Sequence, residues 1–138
     1  MTNLAIKPHH LGVSVPDMDA ALEWYHSMLG FELESRVYMA IIPADVAFIR
    51  NGDFRLELFQ VENSNPLPDD RRFPNQDVKT HGNKHICLSV QDVVGTVASL
   101  KEKGADIVFQ KKIQGTEMAF IRDVAGNLIE LMECPELW

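Results

Sequence analysis

The tetrapeptide Ala-Phe-Ile-Arg stands at Ala47 to Arg50 and again at Ala119 to Arg122, and each copy is followed by a glutamate among apolar residues, Leu56-Glu57-Leu58 and Ile129-Glu130-Leu131. A motif repeated in the same order marks two copies of one supersecondary unit. Each copy also opens on a histidine ahead of an alternating run, His10 in His-Leu-Gly-Val-Ser-Val and His85 in His-Ile-Cys-Leu-Ser-Val. His10 precedes Glu57 by 47 positions and His85 precedes Glu130 by 45, so the internal spacing of the copies agrees. Each half therefore carries one His and one Glu at matched places.

Periodicity predicts the same element order in both halves. In the first, Leu11, Val13 and Val15 alternate with His10, Gly12 and Ser14, which reads as a strand with one apolar and one small polar face. Pro16-Asp17 offers an N-cap, and Met18, Ala21, Leu22, Tyr25 and Leu29 recur at helical spacing until Gly30 ends the helix. Three strands follow, near 32–41, 46–50 and 54–60, the last two joined by Asn51-Gly52-Asp53. The second half repeats this with a strand from His85 to Val90, an Asp92 cap, a stripe of Val93, Val94, Val97 and Leu100, a stop at Gly104, and strands near 106–110, 118–122 and 128–132. The reading is α+β: a first βαβββ module over 1–61, a polar, proline-bearing connector and possible lid over 62–84, and a second module over 85–138.

Composition narrows the class of function. With 46% hydrophobic and 24% charged residues, the 138-residue chain reads as soluble and globular, and no apolar run is long enough to cross a membrane. The first ten residues lack the apolar core of a signal peptide, and the two cysteines, Cys87 and Cys134, make no disulfide framework; both point to a reducing cytoplasm. A net charge of −7 opposes nonspecific nucleic-acid binding. Cys87 reads as a small apolar filler, and the basic pairs Arg71-Arg72 and Lys111-Lys112 as solvated surface.

Alternation then decides which side chains share a face. His10 shares its face with Gly12 and Ser14, and His85 with Cys87 and Ser89, small residues that leave room. Glu57 shares its face with Arg55 and Phe59, and Glu130 with Leu128 and Met132. A carboxylate in so apolar a strand needs a partner, because burying it alone is costly. Two imidazoles and two carboxylates form a mixed nitrogen and oxygen shell suited to one divalent ion, Zn, Ni, Co, Mn or Fe, with a position or two open for water or substrate. The plainer alternative for any one of them is a local hydrogen bond or surface ion pair. Arg55 on the same face could hold a substrate carboxylate or phosphate, or pair internally with Glu57. His9 is expected on the opposite face from His10 unless the chain bulges at Pro8, His26 lies on the helix, and His81 lies in the connector.

The pattern of His10-Leu-Gly-Val, Asp17 to Phe31 with Trp24-Tyr25 and Leu29-Gly30-Phe31, Leu56-Glu57-Leu58, His85-Ile-Cys-Leu-Ser-Val and Gly126-Asn-Leu-Ile-Glu-Leu resembles the vicinal oxygen chelate superfamily, which includes glyoxalase I, methylmalonyl-CoA epimerase, extradiol dioxygenases and the fosfomycin and bleomycin resistance proteins. The resemblance spans nearly the whole chain. It implies paired βαβββ modules forming a cupped, incompletely closed mixed β-barrel with helices outside, around a divalent metal held by His10, Glu57, His85 and Glu130. Glu57 points to the four-ligand glyoxalase and epimerase branch. Two departures stand out. Bacterial-type glyoxalase I enzymes carry Arg and Asn, serving glutathione, where this chain has Ser14 and Val61; methylmalonyl-CoA epimerases usually carry Gln at the place of Glu57, and a base carboxylate in an earlier strand where Val46 stands here.

The resemblance implies a glyoxalase-like lyase or isomerase that transfers a proton next to a carbonyl through a metal-chelated enediolate, with Glu57 or Glu130 as base and Arg55, Phe59 and Ser14 against a small oxygenated substrate. Its rivals are a racemase or epimerase of an acyl thioester, an Fe(II) extradiol dioxygenase using His10, His85 and Glu130, and a drug- or metabolite-binding resistance protein without turnover. A homodimer is expected because an open curved sheet leaves edges that need cover, whether the site lies within one chain or between two.

Overall fold

Strand β1 (Leu11–Ser14) lies parallel to β4 (Phe54–Val61), and between them in sequence come helix α1 (Met18–Leu29), β2 (Glu32–Met39) and β3 (Ala44–Asn51). The computed structural model describes residues 4–138, which divide into two compact units between Ser64 and Asn65. The first unit is one four-stranded mixed sheet in the order β1-β4-β3-β2 with α1 against it. The second repeats it: β5 (Ile86–Val90), α3 (Val93–Glu102), β6 (Asp106–Ile113), β7 (Thr116–Arg122) and β8 (Leu128–Glu133) form a sheet in the order β5-β8-β7-β6. The architecture is α+β, and neither four-stranded sheet closes on itself. No helix among the described residues is long and apolar enough to cross a membrane.

Each helix is started and tied to the sheet in the same way. The Asp17 side chain accepts from the Ala20 amide at 3.0 Å, and Asp92 accepts from the Gly95 amide at 3.0 Å. A second acceptor comes from the strand that bears the glutamate: Gln60 Oε1 takes the Met18 amide at 2.6 Å, and Glu133 Oε1 takes the Val93 amide at 3.0 Å. Both acceptors lie three residues past Glu57 and Glu130. Gly30 stops α1 in the left-handed region, at a φ of 70°, where a side chain would be strained.

The helices cover the sheet faces that alternation marked as apolar. Met18, Ala21 and Tyr25 bury against Ala47, Ile49, Leu56 and Leu58, and Val93, Val97 and Leu100 against Ala119, Ile121, Ile129 and Leu131. Val94, expected in the stripe, is 50% exposed, because the helix buries a narrower face than its valines suggest. The ligand-bearing faces are the opposite ones.

The connector differs from a plain loop. It holds a 3-10 turn at Asp69–Arg71 and a short helix α2 (Pro74–Asp77), and residues 65–84 pack with the second unit. Asp77 is buried at 1% exposure and takes Arg71 Nε at 2.6 Å and Lys84 Nζ at 3.1 Å, while Lys84 also donates to the Asp77 and Thr80 carbonyls. Arg122 of β7 donates to the Arg72 carbonyl at 2.8 Å and lies over the Phe73 ring at 4.8 Å, which anchors the connector to the sheet.

Candidate functional site

In the first module His10 Nε2 stands 3.0 Å from Glu57 Oε2, and in the second His85 Nε2 stands 2.9 Å from Glu130 Oε2. Each pair follows from register. Gly12 is the parallel partner of Glu57, so the chain entering β1 carries His10 across to the β4 carboxylate; Cys87 is the partner of Glu130, and His85 enters β5 in the same way. The antiparallel neighbours complete the match, with Phe48 opposite Glu57 and Phe120 opposite Glu130. Each imidazole stands edge-on to that phenyl ring, His10 to Phe48 at 5.0 Å and His85 to Phe120 at 4.8 Å between centroids.

These rings hold each imidazole plane so that Nε2 faces the carboxylate. The side chains remain open to solvent in part, 34% and 20% exposed for His10 and Glu57 and 30% and 18% for His85 and Glu130. In the absence of an ion, the imidazole Nε2–H donates to the carboxylate oxygen. Two ligand atoms each about 2.1 Å from an ion and at right angles to one another lie about 3 Å apart, so a divalent cation could replace that proton with little movement of either side chain. The donor set fits such an ion. Each pair supplies two ligands, and among the described residues no group of three or more His, Cys, Asp or Glu side chains forms an ion site.

Residues 7–131 match the Glyoxalase/Bleomycin resistance protein/Dioxygenase superfamily. The chain belongs to that superfamily. Mitochondrial methylmalonyl-CoA epimerase of Bos taurus is 30% identical over 130 residues, covering 89% of this chain and 71% of the epimerase. A probable lactoylglutathione lyase of Synechocystis is 27% identical over 129 residues, covering 90% of this chain and 92% of that protein. The crystal structure of a glyoxalase family protein from Enterococcus faecalis superimposes with a TM-score of 0.78 at 22% identity, over 92% of this chain and 97% of that one, which shows the shared fold.

Around the first pair of this superfamily member, Arg55, Phe59 and Ser14 keep the face that alternation gives them, and His9 does not. His9 sits beside His10, not opposite it: β1 begins only at Leu11, so strand alternation does not reach back, and the two Nδ1 atoms are 2.8 Å apart. A His10 that gives its Nε2 lone pair to an ion must carry its proton on Nδ1, and His9 Nδ1 is placed to accept it. Arg55 pairs with Glu34 rather than Glu57, through Nε at 2.9 Å and Nη2 at 3.2 Å. Phe59 and Ser14 share the Glu57 face, but the room expected at Gly12 is filled by Phe59. A Cβ at Gly12 would lie 3.3 Å from Phe59 Cε2.

Cys87 is not an interior filler. It is exposed on the Glu130 face, where partial burial of the thiol, followed by the nearby Glu130 carboxylate, pushes it up to about 11. His26 turns to the Phe31 carbonyl at 3.2 Å and to Glu32 at 3.3 Å, far along the chain from either pair. Phe48, Phe120 and His9 are the site neighbours that sequence reasoning did not assign. The repeated tetrapeptide was the available signal for both phenylalanines.

Proposed function

We propose that this superfamily member is a divalent-metal-dependent enzyme of glyoxalase type, a lyase or isomerase that moves a proton at the carbon next to a carbonyl. His10, Glu57, His85 and Glu130 together hold one ion. The observation that supports this reading is the His–Glu pair with its edge-on phenylalanine, built twice at matched positions with N···O separations of 3.0 and 2.9 Å. A cation bound there supplies Lewis acidity toward the substrate carbonyl, which favours negative charge on its oxygen.

The remaining steps belong to the side chains. A carboxylate oxygen of Glu57 or Glu130 takes the proton from carbon; for isomerisation it returns the proton to the neighbouring carbon, and for epimerisation the other glutamate, as its acid, delivers a proton to the opposite face of the same carbon. Both imidazoles stay in place, held by Phe48 and Phe120. Phe59 forms an apolar wall beside Glu57, and Ser14 a polar one. Arg55 orients the substrate from two strand positions away.

Epimerisation of an acyl thioester is the second reading, supported by the 30% identity to the Bos taurus epimerase. Glu57, where such epimerases usually carry Gln, favours the first. The two share the same proton abstraction and separate by substrate. In deuterated water, the metal-loaded protein is expected to convert a hemithioacetal of a 2-oxoaldehyde to a 2-hydroxyacyl thioester; the second reading instead gives deuterium wash-in at the α-carbon of a 2-methyl-branched acyl thioester. Absence of both reactions with every metal tested contradicts the proposal. A homodimer is part of the same proposal, supported by the edge strand β2 with Leu33, Val37 and Tyr38 exposed at 53%, 58% and 57%, and light scattering tests it.

A further inference from the structure

Strand β2 carries one extra residue where its pairing with β3 slips between Leu33 and Ser35, and that residue is Glu34. Strand β6 slips at the equivalent place, between Ile107 and Phe109, and its extra residue is Val108. Bulges re-aim a side chain, and the two modules use this one for opposite chemistry. Val108 packs against the cluster of Met118, Phe120 and Leu128. Glu34 instead accepts two hydrogen bonds from Arg55, with Arg50 Nη1 at 3.8 Å.

Arg55 and Leu128 are counterparts. Each lies two positions before the module's glutamate and directly opposite the arginine of the repeated tetrapeptide, Arg50 against Arg55 and Arg122 against Leu128. The second module thus shows that valine and leucine satisfy the fold at this point. A charged trio in the first module is not needed for packing.

The two tetrapeptide arginines also differ in freedom. Arg122 is 9% exposed, held by Asp106 at 3.1 Å and by the Arg72 carbonyl, with Phe73 against it. Arg50 keeps 42% of its side chain exposed, donating to the Gly52 carbonyl at 2.5 Å and reaching a fully solvated Asp53 at 3.4 Å. On the Glu57 face, two guanidinium groups therefore share the single carboxylate of Glu34. The hydrogen bond from Arg55 holds that carboxyl below its ordinary value, against a smaller opposing effect of desolvation, and Arg50 and His9 add to the lowering. Glu34 is accordingly ionised at neutral pH.

We propose that Arg50 and Arg55 bind an anionic head group of the substrate, a carboxylate or a phosphate ester, and that Glu34 is the resident counter-ion which that group displaces. This rests on the reading that the Glu57 face is the reaction site. Arg55 precedes Glu57 by two strand positions, about 7 Å, so the head group lies roughly that far from the substrate oxygens facing His10 and Glu57. Planar, two-point recognition of such anions is what paired guanidinium groups do best.

The test is a calorimetric titration of the metal-free chain with succinate and, separately, with inorganic phosphate, so that anion binding is read independently of any ion at His10 and Glu57. Wild type is expected to bind at least one of them weakly, more weakly still as salt rises, and the tighter of the two names the head group. Glu34→Gln removes the competing charge and is expected to tighten binding about threefold to tenfold, whereas Arg55→Leu weakens it more than tenfold. The double variant Glu34→Val with Arg55→Leu installs the residues of the second module, should fold, and should lose binding. An anion affinity unchanged in Glu34→Gln, or retained in the double variant, overturns the proposal. Loss of metal binding with these anion responses intact would instead count against the metal reading alone.

Discussion

Phe48 and His10 stand edge-on with ring centroids 5.0 Å apart and planes at 89°, and the same contact recurs between Phe120 and His85 at 4.8 Å and 83°. Each phenylalanine is the second residue of the repeated tetrapeptide and lies opposite the module's glutamate. The ring fixes the imidazole plane, and the plane decides where the Nε2 lone pair points. Phe48→Leu or Phe120→Leu keeps an apolar side chain but frees the imidazole to rotate. Each is expected to weaken affinity for a divalent ion about tenfold, read by competition with a chromogenic chelator. Each should also lower stability by roughly 1 kcal/mol.

His9 acts on the same ligand from the other nitrogen. With Nδ1 2.8 Å from His10 Nδ1, it is placed to accept the proton that metal loading moves to that atom. His9→Ala is expected to weaken ion binding about tenfold while leaving the thermal midpoint of the metal-free chain within a degree or two. Nitrogen-15 spectra of the imidazoles check the cause. In the loaded wild type His10 should carry its proton on Nδ1, and in the variant that preference should weaken.

The connector is secured by one buried carboxylate. Asp77 is 1% exposed between Arg71 and Lys84, and Lys84 is the residue immediately before His85. Asp77→Ala leaves two cations facing a vacated site, although both can turn partly to water. A loss of about 2 kcal/mol is expected by urea denaturation. Because the change loosens the entry to β5, hydrogen exchange at Ile86 and Cys87 should quicken more than at Leu11 and Gly12.

Acid should release the trio at the β2 bulge. The folded-state value of Glu34 lies below its ordinary one, chiefly through the Arg55 hydrogen bond, so its contribution to stability is present above the ordinary carboxylate range. That contribution is lost as pH falls through the lowered folded value. Denaturation midpoints measured between pH 7 and about pH 3 should therefore fall less steeply in Glu34→Gln than in wild type. Parallel curves would show that the pair carries no linkage.

The duplicated module was legible because its signals are local. Asp17 and Gly30 bracket α1, and Leu56, Glu57 and Leu58 alternate on β4, so element order and ligand-bearing faces could be read from neighbours in sequence. What escaped depends on contacts far apart or on broken alternation. Helix α2 lies in a stretch whose prolines and charges read as loop, and its Asp77 finds Lys84 only after folding. A bulge cannot be seen in a regular alternation, so Glu34 gave no sign of meeting Arg55. His9 lies two residues before β1 begins at Leu11, where strand alternation no longer decides which side a residue faces.

Both His–Glu pairs are proposed to serve one ion. Loading the metal-free chain in turn with Zn, Ni, Co, Mn and Fe(II), followed by elemental analysis of the desalted protein, measures this directly. One ion per chain is expected for at least one of these metals, with a loss of most of it in each of His10→Ala, Glu57→Gln, His85→Ala and Glu130→Gln. Two ions per chain, each abolished only by changes within its own pair, or no retained ion at all, would contradict it.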